Sequence, residues 1–178
     1  FHRADGTPVG AVLGFCNMLN KLILNRLLAG EEPRMVLVFD PNGKNFRHDL
    51  YPEYKANRKE CPMDLKPQFA LIREAAKAYG IHELEATGYE ADDVIATLVT
   101  MAMKEGVDCH ILSGDKDLMQ LITPLERTNS YVHVIDPMSM TRVDYDAVVE
   151  KWGVGPELIG DLLAIVGDTS DNIPGIKG

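Results

Sequence analysis

The residues of this chain best suited to chemistry are eight carboxylates in four short motifs: Asp40 closing MVLVFD, Glu90, Asp92 and Asp93 in YEADD, Asp115 and Asp117 in SGDKD, and Asp168 and Asp171 in GDTSDN. Taken singly, each has an ordinary explanation. Acids in a first helical turn complement the helix dipole, Asp115 could cap the helix behind it, and GDTSDN is rich in turn residues. Jointly they ask for more, because the Asp92-Asp93 and Asp115/Asp117 pairs crowd like charges, which raises carboxyl pKa values and destabilises a fold unless cations neutralise them. Oxygen ligands without supporting His or Cys favour hard ions, Mg²⁺ with Mn²⁺ as a substitute, over Zn²⁺. Two or more such ions can activate water and stabilise the leaving oxygen of a phosphodiester with no nucleophilic side chain. Other chemistries lack their motifs: there is no GxxxxGK[ST], HExxH or GxSxG, and His2, His48, His82, His110 and His133 are scattered. His110 alternates within a strand-like run and reads as structural, and His48 as a surface residue.

The acids need elements to hold them. Thr7 and Pro8 followed by apolar Val9, Val12, Leu13, Cys16, Leu19, Leu22, Ile23 and Leu27 predict a helix capped at Thr7, ending near Gly30 and packed on a sheet. Residues 35–39 read as a strand delivering Asp40 at its C-terminal end, and 43–63 as a partly helical excursion. Helices follow over 65–79 and 90–105, strands over 81–86 and 107–112, and a short helix begins at Asp115. A β-rich run over 131–135 precedes helices over 144–152 and 157–166. Strands alternating with helices indicate an α/β fold with a largely parallel central sheet flanked by helices. Ligands of such sheets bind beyond the carboxyl ends of the strands, where Asp40 and Asp115 fall.

At 178 residues and 46% hydrophobic, the chain can bury one sizeable core. The apolar run over 9–28 is broken by Asn17, Asn20, Lys21, Asn25 and Arg26, so no membrane span is expected. Three dispersed cysteines exclude a disulfide framework or cysteine zinc site and suit a reducing compartment. The net charge of −9 argues at first against a nucleic-acid partner. The placement of the charges argues the other way: without the eight acids the chain is close to neutral, and residues 44–59 carry Lys44, Arg47, Lys55, Arg58 and Lys59 against Asp49 and Glu53. Basic residues there interleave with aromatics, and a helical second half would put Tyr54 and Arg58 on one face with Lys55 beside them. Such a face can stack an unpaired base and hold phosphates.

VFD, FRHDLYPEYKANR, GYEADDVIATL, SGDKDLMQL and GDTSDNIPGIKG occur in the order and spacing of the 5′-nuclease (flap endonuclease) superfamily. The chain closely resembles its members that form the N-terminal 5′-3′ exonuclease domains of bacterial DNA polymerases I. The resemblance implies a PIN-like 5′-nuclease fold, with residues 1–167 as catalytic domain, 43–63 as a helical arch, and 168–178 as the start of a helix-hairpin-helix-like element. Asp40, Glu90, Asp92 and Asp93 match the acids of a first metal, and Asp115, Asp117, Asp168 and Asp171 those of a second. Lys55 and Arg58 match the arch residues that engage the scissile phosphate, with Arg47 and Tyr54 beside them on the DNA. Gly175, Ile176, Lys177 and Gly178 match the hairpin that grips duplex DNA, where K⁺ can bind.

The partner implied is DNA carrying a 5′ flap or 5′ single strand next to duplex, with RNA primers as further substrates. A C-terminal polymerase domain in the same chain and a cytoplasmic, nucleoid setting are also expected, an organellar one staying open. Phe1 is no initiator methionine and Gly178 falls inside a glycine-rich turn, so the sequence reads as an excerpt. The family's first strand, with a further metal-binding Asp, is expected ahead of Phe1, and without it this polypeptide is expected to be poorly stable and weakly active. Two other readings stay open: a PIN-type ribonuclease, and a degenerate, non-catalytic DNA-binding module.

Overall fold

The structure, a computed structural model, describes residues 1–30, 34–124 and 129–176. In chain order the elements begin with α1 (Gly10–Leu28), β1 (Val36–Val38), α2 (Phe46–Leu50), α3 (Gln68–Ala78), β2 (His82–Leu84), α4 (Ala91–Lys104) and β3 (Cys109–Leu112). A 3-10 helix (Asp117–Leu121), β4 (Val132–Ile135), β5 (Arg142–Val143) and α5 (Tyr145–Trp152) follow. A 3-10 turn (Pro156–Leu158), α6 (Ile159–Val166), β6 (Gly167–Asp168) and β7 (Ile173–Pro174) complete the order. The chain divides into two compact units, Phe1–Phe39 with Lys59–Glu85, and Asp40–Arg58 with Ala86–Gly178. Among the described residues, no helix is long and apolar enough to cross a membrane.

In the first unit β1 and β2 form a parallel pair, Val36 opposite His82 and Val38 opposite Leu84. Helix α1 packs on α3, with Leu19 and Ala76 buried, so its principal neighbour is a helix rather than the expected sheet. Its start also differs from expectation. The helix begins at Gly10, and neither Thr7 nor any other side chain caps it from the N-cap position. The cap comes from 57 residues away: the buried Gln68 accepts from Ala11 N at 2.7 Å and Val12 N at 3.3 Å through Oε1, and its Nε2 donates to Asp64 O. A Gln68→Ala variant leaves the Ala11 amide without that acceptor, and we expect a loss of about 1–2 kcal/mol in urea unfolding.

The second unit has the larger core. β3 and β4 pair in parallel, β4 and β5 antiparallel, and the core is built from Val99 of α4, Ile111, Leu118, Met119, Ile122, Val132, Val134, Val148 and Ile159. The α/β class with parallel pairing is as the sequence implied, but the parallel strands form two separate pairs rather than one continuous ladder among the described residues. His110 and His133 are opposite each other across β3 and β4, Nδ1 to Nε2 at 2.5 Å, a structural pairing. Capping fits the sequence well in two places: Asp144 accepts from Ala147 N to start α5, and Gly153, left-handed at φ 74°, ends it. The helix expected over 157–166 is split, because the turn at Pro156 is 3-10 before α6 begins.

A candidate metal centre and its basic strap

Four separate segments bring the eight acids together, all within the second unit. β1 runs out two residues before Asp40, whose Oδ1 accepts from Ala91 N at 2.7 Å and so sits on the first turn of α4 beside Asp92. β3 leads into Ser113, whose Oγ accepts from Asp115 N at 3.0 Å, and Asp115 Oδ1 in turn accepts from Asp117 N at 3.0 Å. The short helix expected from Asp115 therefore begins at Asp117 and is 3-10, with Asp115 orienting its start. Asp168 ends β6, and its Oδ1 takes both donors of Ser170, the amide at 2.9 Å and the hydroxyl at 2.6 Å. The ordinary roles of these acids as caps and turn formers are thus real, and they aim the remaining oxygens.

Four cations answer four of the acids. Arg47 grips Asp93 through two parallel hydrogen bonds of 2.7 and 2.8 Å, Lys55 Nζ reaches Glu90 at 2.6 Å, Arg58 reaches Asp171 at 2.8 Å, and Lys116 reaches Asp168 at 2.8 Å. Sequence reasoning singles out the first three and misses Lys116, although its place between Asp115 and Asp117 in SGDKD is a visible signal. It also misses Asn45, which donates to Glu90 at 2.8 Å.

The strap that carries the first three cations is partly helical, its helix α2 carrying Arg47 and ending before Lys55 and Arg58. Helix α2 starts with a capping box, Asn45 accepting from Arg47 N while Asn45 N donates to His48 Nδ1, so His48 has a local structural role. Residues 52–57 then form turns, and Lys55 is left-handed at φ 56°, which an α-helix excludes. The strap is tied instead to the GDTSDN loop. Lys55 N donates to Asp171 O, Asn57 Nδ2 to Thr169 O, Asn172 Nδ2 to Glu53 O, and Tyr51 OH to Asn172 O. Tyr54 is 6% exposed with an edge-on contact to His48, and its hydroxyl lies 2.9 Å from Glu90 and 2.8 Å from Asp171. The ring has no open face for a base in this conformation.

Charge balance divides the acids. Burial pushes the Glu90 carboxyl upward, but the donors of Lys55 and Tyr54 outweigh it and hold it low; the Arg47 fork does the same for Asp93. Asp168 also resists burial, held at about 2 by Lys116 and Ser170. The opposite holds for Asp92, raised to about 6 by burial and then by Asp115, Asp40, Asp117 and Glu90. Asp117 is raised by burial and by Asp115, and its buried Oδ1 has no hydrogen-bond partner. One oxygen each from Asp117, Asp168 and Asp171 lie within 4.8 Å of one another. An uncompensated acid group, an orphaned buried oxygen and a convergent oxygen-only trio fit a hard divalent cation. Asp92, Asp117, Asp168 and Asp171 line a cavity of about 560 Å³, together with Arg47 and Tyr54.

At the far end of the site, Gly175 lies against the Val166 carbonyl and Ile176 N donates to Ile165 O, so these two residues hold the β6–β7 hairpin to α6. Lys177 and Gly178 lie outside the described residues.

Residues 1–153 match the 5′-3′ exonuclease, N-terminal resolvase-like domain. The chain belongs to the 5′-3′ exonuclease family. Two relatives of the chain are DNA polymerase I of Rhizobium leguminosarum, 47% identical over 99% of the chain, and a 5′-3′ exonuclease of Aquifex aeolicus, 42% identical over 98%. The chain spans 17% of the first relative and 57% of the second. Its fold matches that of the T5 5′-exonuclease solved with divalent zinc, with a TM-score of 0.72 at 23% identity, covering 96% of this chain and 63% of that one.

Proposed function

We propose that the chain is the catalytic region of a metal-dependent, structure-selective 5′-3′ exonuclease and flap endonuclease that hydrolyses DNA phosphodiesters, including 5′ flaps and RNA primers. The observation that carries the reading is the meeting of acids from three segments, Glu90 to Asp93, Asp117, and Asp168 with Asp171, along one cavity, with the cations of the strap on the same acids. The family membership and the zinc-bound T5 enzyme agree with it. Mg²⁺, or Mn²⁺ in its place, supplies water activation and charge neutralisation when bound at such acids. In this reading Asp40, Glu90, Asp92 and Asp93 serve a first ion and Asp115, Asp117, Asp168 and Asp171 a second, while Asp93 also docks Arg47. Lys55 and Arg58 turn from their carboxylates to the scissile phosphate, where preorganised positive charge stabilises what develops in the transition state.

Arg47 and Tyr54 then act on the DNA at the strap, beside Lys55 and Arg58. Residues 168–178 begin the duplex-gripping element, with Gly175, Ile176, Lys177 and Gly178 on the DNA and K⁺ as its ion. Residues 1–167 make the catalytic domain. The polymerase relative supports a C-terminal polymerase domain in the same chain, and a cytoplasmic, nucleoid setting belongs to the same reading.

The test compares a 5′-flapped DNA duplex with single-stranded RNA in Mg²⁺ and in EDTA. We expect flap cleavage only with Mg²⁺ and at least tenfold faster than cleavage of RNA. Preference for RNA, or cleavage in EDTA, overturns the assignment.

A further inference from the structure

Lys116 occupies an unusual place. Its Nζ lies 2.8 Å from Asp168 Oδ2 and 3.7 Å from Asp117 Oδ1, at the edge of the three-acid group. The other Asp168 oxygen is already taken by both donors of Ser170, which leaves Oδ2 as the one free to bind an ion. Asp117 Oδ1 is buried with no hydrogen bond of its own. The two oxygens that a second cation most needs therefore face a single ammonium. The Lys116 side chain is 29% exposed, so it has a route out to solvent.

We propose that Lys116 is a resident counter-ion of the second metal site, a positioning residue that stands in for the divalent ion when it is absent and must be displaced for it to enter. This rests on the metal-dependent reading above. The physical case is direct: an ammonium and a divalent cation cannot share oxygens a few ångströms apart without strong repulsion, so the ion's apparent affinity is reduced by the cost of moving the lysine. The ammonium also keeps Asp117 and Asp168 from repelling each other in the metal-free protein, which spares the fold an uncompensated pair. Lys55 and Arg58 sit on the Asp171 side of the same group, at 3.7 and 2.8 Å, but they come from the strap and can leave with it. Lys116 is anchored one residue from Asp117 and stays beside the site whatever the strap does.

The experiment counts bound ions by the loss of the free Mn²⁺ electron paramagnetic resonance signal during titration of the protein, its Lys116→Met and Lys116→Arg variants, and Asp117→Asn. We expect a tight and a weak class of ion in the parent. The weak class should tighten about tenfold in Lys116→Met, stay as in the parent in Lys116→Arg, and vanish in Asp117→Asn. A weak class that appears only in Lys116→Met supports the proposal equally. An unchanged weak class in Lys116→Met, with Asp117→Asn still removing it, overturns the role of Lys116 and leaves the metal reading standing. No Mn²⁺ bound by any of the proteins overturns both. Circular dichroism of each variant separates lost binding from lost folding, and Lys116→Gln serves if Lys116→Met does not fold.

Discussion

Asp92→Asn yields a protein that melts higher without divalent metal and no longer cuts DNA. The Asp92 carboxyl is raised to about 6, by burial first and then by Asp115, Asp40, Asp117 and Glu90. In an unfolded chain the same group titrates near about 4. The folded state therefore holds the proton more tightly, and the stability of the metal-free protein falls as pH rises from about 4 to about 6. Above that window the penalty is complete. Asn carries no charge, so the variant's advantage is absent below pH of about 4 and full above about 6. Because the group is partly solvated, screening reduces the gain to about 1 kcal/mol, or roughly 2–4 °C in melting temperature. Thermal scans in EDTA at pH 4 and pH 7.5 check it, and a variant that melts lower than the parent at pH 7.5 defeats the argument. Flap cleavage in Mg²⁺ should drop by on the order of 10³-fold, the scale on which loss of one preorganised charge acts.

Gly167→Ala is the change with the largest expected cost to the fold. Gly167 has φ 84° and ψ 169°, a backbone region essentially reserved for glycine. A Cβ there would also meet the Gly175 nitrogen and lie 2.8 Å from the Ile173 carbonyl. Strain of about 1–3 kcal/mol and overpacking of a similar size combine, so we expect a loss of about 3–5 kcal/mol in denaturant unfolding. The damage falls on the β6–β7 hairpin, which carries Asp168 at its start and Asp171 in its loop. Cleavage should therefore fall further than stability alone explains, at temperatures where the variant is still folded. A variant with parental stability would mean that the hairpin can open without cost.

How much of this is legible in the sequence depends on how local the cause is. The helix over α4, with Glu90 before it and Gly106 after it, follows from apolar spacing and caps that lie within the same stretch. The strands that lead to Asp40 and to Asp115 are readable as short apolar runs closed by turn residues. The start of α1 is not, because Gln68 supplies its cap from α3 and no local residue announces that. The strap escapes for a related reason. A helical second half would place Tyr54, Lys55 and Arg58 together, whereas the loop at Thr169 to Asn172 offers carbonyls and carboxylates that bend the strap into turns. The three side chains still converge on the acids, but by long-range bonding rather than by helical periodicity. Lys116 is easily passed over because a lysine flanked by aspartates looks like ordinary charge balance until Asp168 is brought to it from 52 residues away.

Tyr54 shows what one hydrogen atom can do in such a place. Its hydroxyl is within bonding distance of Glu90 and Asp171 alike, yet it has a single proton to give. At any moment one carboxylate receives it and the other meets an oxygen lone pair. The phenol cannot resolve this by ionising, since burial and both acids drive its pKa upward. Two acids on different segments thus share an indivisible donor, and satisfying one of them from elsewhere sets the hydroxyl free for the other.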